Sequence, residues 1–308
     1  MTSGGKLPVE LERLAFEYAA ETRSEIPNLI LVAQRVRVWL EPLLYTVLQL
    51  SSPHLAATVL KSLETKPAQF LASTVRHVLV YASTDTLDPE AFERFLTSCP
   101  GIVTLSITGS ITGPNLLPAL GNMRIQRLSV DLGELFFRYQ CEVEEEKEEE
   151  FGVNLDHPLF ATVSHLDIMD DSDIEDSELE GQEWLQNLST LPALTNLAFS
   201  TTPNPHIVHS ILGSCPRLRV LVVLFSVSDT AGARAYLQEV INEVSITDMR
   251  FVVATYADYY ADWELGARGK EDIWVRVEEF VARKRRGEVE ASDYFLNGSP
   301  ADESDESD

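Results

Sequence analysis

Ser98-Cys99-Pro100-Gly101-Ile102-Val103-Thr104-Leu105 returns as Ser214-Cys215-Pro216-Arg217-Leu218-Arg219-Val220-Leu221, and around these two copies an apolar-x-x-apolar-x-apolar pattern keeps recurring. It reads Val75, Val78, Val80; Ile102, Leu105, Ile107; Ile125, Leu128, Val130; Val163, Leu166, Ile168; Leu194, Leu197, Phe199; Leu218, Leu221, Val223; and, more weakly, Ile246, Met249, Phe251. Successive central residues stand 27, 23, 38, 31, 24 and 28 positions apart. A unit of that size cannot bury its apolar edge alone, so the period predicts a stack of strand units, a solenoid with a parallel sheet.

Between the strands lie helical stretches at 56–63, 89–98, 115–121, 183–188, 205–212 and 232–244. Proline after Cys99, Cys215 and Leu191 stops each preceding helix, because the residue before proline disfavours the helical region. Strand then helix, repeated, is similar to the plan of leucine-rich-repeat proteins, here in irregular form without the usual asparagine after the strand. The fold class expected is therefore α/β.

The first 44 residues differ. Leu11, Leu14, Ala15, Tyr18 and Ala19 recur at helical spacing, Pro8 and Pro27 suit first helical turns, and a third helix is expected to end near Pro42. Leu7-Pro8-Val9-Glu10-Leu11, Phe16-Glu17, Leu31-Val32-Ala33-Gln34-Arg35-Val36, Trp39 and Pro42-Leu43-Leu44-Tyr45 together resemble the F-box motif of fungal F-box proteins. The resemblance implies that these helices dock on the small adaptor subunit of a cullin-RING ubiquitin ligase, with Leu7, Pro8, Leu11, Phe16, Leu31, Val32 and Trp39 as adaptor contacts or their supports. It also implies that the following domain captures a protein target. The organisation expected is an F-box-like helical module at 1–44, a repeat-like α/β domain at 45–296 and a disordered acidic tail at 297–308.

In such strands the residues between the core positions face the other side of the sheet. That second set supplies the candidate target-binding face: His77, Tyr81, Thr104, Ser106, Arg127, Ser129, His165, Asp167 and Asn196. In the last repeat the set turns apolar, as Val220, Val222 and Leu224, and the aromatic C-terminal segment is expected to cover it.

The net charge of −25 is concentrated. Residues 142–150 carry −6, residues 167–183 carry −9 and residues 302–308 carry −5. Acidic insertions at 142–150 and 170–183 fall in the two longest repeats, where they predict attraction for a basic protein target and repulsion of nucleic acid. Three cysteines, Cys99, Cys141 and Cys215, suit reduced thiols in the cytoplasm or nucleus. No apolar run is long enough to predict a membrane span. Arg283-Lys284-Arg285-Arg286 before Gly287 reads first as a helix end and second as an import signal.

No catalytic, metal or cofactor residue is expected. Asp171, Asp173 and Glu175 lack the glycine and closing glutamate of a calcium loop, His206 and His209 lack further zinc ligands, and 266–271 lacks the spacing of a phosphate loop. The function expected is a target-recruiting subunit of an F-box-type ubiquitin ligase, not an enzyme. The alternative is a repeat scaffold with no ligase role, its N-terminal helices only sealing the first repeat.

Overall fold

The computed structural model describes residues 7–21, 23–50, 52–81, 87–136, 153–169 and 183–298. Nine strands form one sheet in the order of the chain, and every neighbouring pair is parallel. They are β1 (Val47–Leu50), β2 (His77–Tyr81), β3 (Thr104–Thr108), β4 (Arg127–Val130), β5 (His165–Ile168), β6 (Asn196–Phe199), β7 (Val220–Ser226), β8 (Phe251–Tyr256) and β9 (Phe295–Leu296).

Ahead of the sheet stand α1 (Val9–Ala19), α2 (Ile26–Leu29) and α3 (Gln34–Thr46). Along one face of it run α4 (Pro53–Leu63), α5 (Ala68–Thr74), α6 (Pro89–Ser98), α7 (Leu117–Leu120), α8 (Leu132–Phe136), α9 (Glu183–Gln186), α10 (Pro205–Ser214) and α11 (Thr230–Val244). On the other face lie α12 (Tyr259–Ala267) and α13 (Ile273–Arg286).

Register explains this placement. Val78, Leu105, Leu128, Leu166, Leu197, Leu221 and Phe251 stand opposite one another in a single row, and Val80, Ile107, Val130, Ile168, Phe199, Val223 and Val253 follow in the same order. Both rows are buried in one core with Ala56 and Leu60 of α4, Phe92 and Leu96 of α6, Val208 and Ile211 of α10, and Val240 of α11. The helices begin where strands have just ended, and short polar side chains cap them. Ser52, Asp88, Asn204 and Asp229 each accept a backbone N–H in the first turn, three of them beside Pro53, Pro89 and Pro205.

At the opposite edge, arginines bind the carbonyls that end the helices. Arg250 donates to the carbonyls of Leu212, Cys215 and Leu218, Arg217 to those of Ser189, Leu191 and Pro192, and Arg76 to those of Ser73 and Gly101. The repeat copies differ at Gly101 and Arg217 for a steric reason: a Cβ on Gly101 would lie 2.3 Å from the Ala72 carbonyl oxygen.

Several sequence expectations need correction. In the last repeat Met249 is exposed, and Phe251 occupies the row of central core residues two positions later. The turn there is pinned by Arg250, whose backbone and guanidinium both donate to Asp248, and β8 begins at Phe251. Helix α3 continues through Pro42 to Thr46 and passes directly into β1, with Val36 and Leu40 holding it from inside. The tail boundary moves as well, because Gly298 N donates to Thr255 Oγ1 and fixes the chain beside β8. The run 142–150, Cys141, residues 170–182 and residues 299–308 lie outside the described residues.

Gly287 adopts φ 74° and ends α13, its N–H on the Lys284 carbonyl. Lys284 itself is buried, with Nζ 4.3 Å from the centre of the Tyr294 ring and 5.0 Å from that of Phe280, so the four basic residues do not present a continuous exposed signal. Among the described residues no helix is long and apolar enough to cross a membrane.

Leu105 is fully buried in the middle of the core row. Leu105→Ala is expected to lower unfolding stability by about 2–5 kcal/mol, read as a shift of denaturant midpoint at unchanged slope.

Candidate functional site

Two groups of residues hold functional interest. The first is the N-terminal helical unit. Its own core is small: Ala20, Ile26, Val36 and Leu40 are buried, with Phe16, Leu29, Ile30, Trp39 and Leu44 packed around them. Most of its remaining apolar side chains point to solvent. Leu31 is 81% exposed, Val32 63% and Leu7 54%, and Val9, Leu11, Leu14, Tyr18 and Val38 are also exposed. Arg35 grips Glu12 with two nitrogens, at 2.6 and 3.1 Å, and so sets the start of α3 beside the turn of α1 that carries Leu11. Of the residues marked by the F-box resemblance, Leu7, Pro8, Leu11, Leu31 and Val32 are open, while Phe16 and Trp39 turn inward onto the unit's own core.

The second group is the sheet face opposite α4 to α11. Register assembles it in rows. His77, Thr104, Arg127, His165 and Asn196 form one row; Ser106, Ser129 and Asp167 form the next, between Leu79 and Ala198; Tyr81 stands at its edge beside Thr108. The sequence reading leaves this face open. The structure covers it with α12 and α13, and Thr104, Ser106, Ser129, Asp167 and Asn196 are buried. In this conformation those five cannot touch a partner; Tyr81 stays exposed, and His77, Arg127 and His165 are half-buried.

The cover is built from complementary groups. Arg127 Nη1 donates to Asp272 Oδ2 at 2.6 Å, and Asp272 also caps α13 by accepting Val275 N. Asn196 Nδ2 donates to Glu278 at 2.8 Å, and the His165 ring meets the edge of Trp274 with centroids 5.1 Å apart. Tyr259 donates its hydroxyl to Asp167 Oδ2 at 3.2 Å, while Ser200 donates to Asp167 Oδ1 at 2.9 Å. Further along, the expected covering of the apolar set is observed: Val220, Val222, Leu224, Val252 and Ala254 pack on Ile273, Val277, Phe280 and Val281 of α13.

Burial shifts the ionisable groups. It raises the Asp167 carboxyl to about 6, against the pull of hydroxyls from Ser200, Tyr259 and Ser129. The Tyr259 phenol is held well above its ordinary range, by burial first and the Asp167 charge second. His77 and His165 are lowered to about 4, by burial first and then by Arg127. Both imidazoles are thus neutral near pH 7. A cavity of about 30 Å³ remains between sheet and cover, lined by Thr104, Ser129, Asp167, Tyr259, Trp263 and Asp272 among others. That space suits ordered water and is far below the size of a metabolite site.

Sequence reasoning missed the partners on the cover: Tyr259, Asp262, Asp272, Trp274 and Glu278. The signal available was the switch of the last repeat's outward set to Val220, Val222 and Leu224, which demands a lid of matching apolar residues. His206 and His209 are both exposed. No family model matches the chain, and no curated protein matches it either.

The raised Asp167 value has a definite sign. The fold binds the Asp167 proton more tightly than the unfolded chain does, so its contribution is fully present below about pH 4 and is lost as pH rises through about 6. Asp167→Asn is expected to remove that loss, flattening stability between pH 4 and 7 by up to about 3 kcal/mol relative to the unaltered chain. Denaturant titrations of both proteins across this range check it.

Proposed function

We propose that the chain is a target-recruiting subunit of a cullin-RING ubiquitin ligase of the F-box type, its N-terminal helices binding the ligase adaptor and its leucine-rich-repeat-like α/β domain binding a protein target. The observation that carries this reading is the apolar surface of α1 and the turn before α3, where Leu7, Leu11, Leu31 and Val32 are exposed together with Val9 and Leu14. Each such side chain gains roughly 1.5–3 kcal/mol when fully buried, so several left open on one short helical unit favour a protein partner. A unit that only sealed the first repeat would turn these residues inward. They face out, although the unit has a core of its own.

The sheet supports the second half of the reading. Sequential parallel strands with α4 to α11 along one face support a leucine-rich-repeat-like reading, and such stacks offer extended surfaces to proteins. The chain on this reading binds and does not catalyse: Arg127, Asp167 and Asn196 are engaged in holding the cover helices, and the space between sheet and cover is water-sized. The target is expected to be basic, from the acidic runs at 142–150 and 170–183.

Co-purification with the ligase adaptor tests the reading. The intact chain is expected to bring the adaptor down, and a variant carrying both Leu7→Ala and Pro8→Ala, like Leu31→Asp alone, is expected to lose it while melting within about 2 °C of the parent, as exposed substitutions do. An adaptor that never binds, or a Leu7/Pro8 variant that unfolds instead, returns the N-terminal helices to the role of a seal and leaves a repeat scaffold without a ligase role.

A further inference from the structure

The two cover helices are held in different ways. Helix α13 lies on β7 and β8 through a packed apolar seam, with Ile273, Val277, Phe280 and Val281 buried. Helix α12 has no fully buried residue. At nine residues it is shorter than a helix that persists alone in water, which needs roughly 12–15. Its attachments to the sheet and to the N-terminal helices are few: the buried Tyr259 hydroxyl on Asp167 at 3.2 Å and near Ser106 at 3.4 Å, the Tyr260 ring on that of Tyr81 with centroids 6.1 Å apart, Gln49 Nε2 on the Tyr260 carbonyl at 3.3 Å, and Arg23 at 3.9 Å from Glu264. In its first half Asp262 accepts from Arg276 and from Ile273 N, a tie to α13 and not to the sheet.

The fit beneath it is also incomplete. Among the described residues, the buried side-chain polar atoms without a hydrogen-bond partner are His77 Nδ1, Asn196 Oδ1, Trp263 Nε1 and Arg276 Nε, and all four belong to residues of the outward sheet rows or of the two cover helices. Elsewhere such atoms are satisfied, as buried polar groups normally are. The cavity lined by Tyr259 and Trp263 lies in the same junction. On either side of α12 the chain is exposed, at Ala257 and Asp258 before it and at Arg268 and Gly269 after it, where Gly269 takes φ 71°.

We propose that α12 is a lid, the segment from Asp258 to Arg268 detaching by local unfolding while β8 and α13 stay in place, so that Ser106, Ser129 and Asp167 become accessible. This names the regulation of the target-binding face and rests, for its purpose, on the reading of that face given above. The opening itself does not depend on the ligase role. In the closed form α12 occupies the central rows and a target must displace it; in the open form the face offers Asp167 and two hydroxyls for recognition. Partly stable segments are the ones that open in this way, well below the free energy of global unfolding.

Hydrogen exchange followed by mass spectrometry on the full chain, comparing segments 257–269 and 273–286, tests the lid without any partner. Amides of α12 are expected to show protection lower than those of α13 by about 100-fold or more, as sub-global opening predicts. Equal protection in the two helices would overturn the lid. Tyr259→Phe, which keeps the ring and removes the hydroxyl, is expected to speed exchange of α12 about fivefold and leave α13 unchanged, the size of one lost hydrogen bond. If both helices speed up together, the cover is one unit and the lid fails; an unchanged α12 removes the Asp167 contact as its latch. Adaptor co-purification does not enter this measurement, so failure here and failure of the ligase reading are separate results.

Discussion

The register between consecutive strands is the constraint on which the rest of the molecule depends. Each strand pairs with the next along the chain, and Val78 through Phe251 meet in one row. Side chains alternate between faces with a period of two, so a slip of one residue anywhere would send Leu105 or Leu166 out of the core and bring Ser106 or Asp167 in. Only one alignment buries every apolar row, and it places α4 to α11 on a single side. The other side is then fixed as well, in polar rows up to Asn196 and apolar ones from Val220 onward.

Parallel strands also separate charge along the molecule. Helices that return the chain run against the strands, so their N-termini gather at the edge where strands end and their C-termini at the edge where strands begin. Asp88, Asp229 and Asp258 cap at the first edge; Arg76, Arg217 and Arg250 bind carbonyls at the second. Both assignments follow the helix dipole. Strand-following segments such as 82–88, 169–182, 200–204 and 257–258 contain no Lys or Arg. Part of the acidity is therefore structural, the local chemistry of helix starts, while 170–182 continues it far beyond what capping requires.

How much of this was legible differs by element. Strands built on a regular apolar triplet were readable because burial on the helix side leaves no choice of residue; Val75, Ile102, Ile125 and Val163 lead into β2 to β5 as the triplets indicate. The seventh triplet failed because Asp248 and Arg250 form a local ion pair that takes precedence over the apolar spacing around Met249. Strand β1 carries the same spacing as Tyr45, Leu48 and Leu50, with Leu48 and Leu50 opposite Val78 and Val80, but it went unread because α3 runs straight into it; β9 is too short to leave a pattern. The candidate face was half legible. Its rows could be listed from alternation alone, but the cover was legible only over Val220, Val222 and Leu224, because its other contacts link residues as far apart as Arg127 and Asp272, a pairing that no local pattern encodes.

The join between the N-terminal helices and the sheet bears on what the ligase reading would require of the molecule. No flexible linker separates them: Thr46 ends α3, Val47 begins β1, and the Thr46 carbonyl accepts Arg76 N from the next strand unit. Lys66 locks the corner, with Nζ 2.9 Å from Glu41 and over the rings of Tyr45 and Phe70 at 5.1 and 5.6 Å. These two contacts act together, because an ammonium that is partly removed from water interacts more strongly with both carboxylate and ring. A partner seated on Leu11 and Leu31 would thus be held at one orientation to the sheet. Arg23, lying between Leu44 and Glu264, extends the same bracing to the start of the molecule's cover. If α12 opens, it is this outer contact at 3.9 Å that yields, and the Lys66 corner is untouched. On the lid proposal the molecule would uncover its face while keeping its two ends at a fixed angle, the property that the ligase reading asks of a subunit presenting a target to another enzyme.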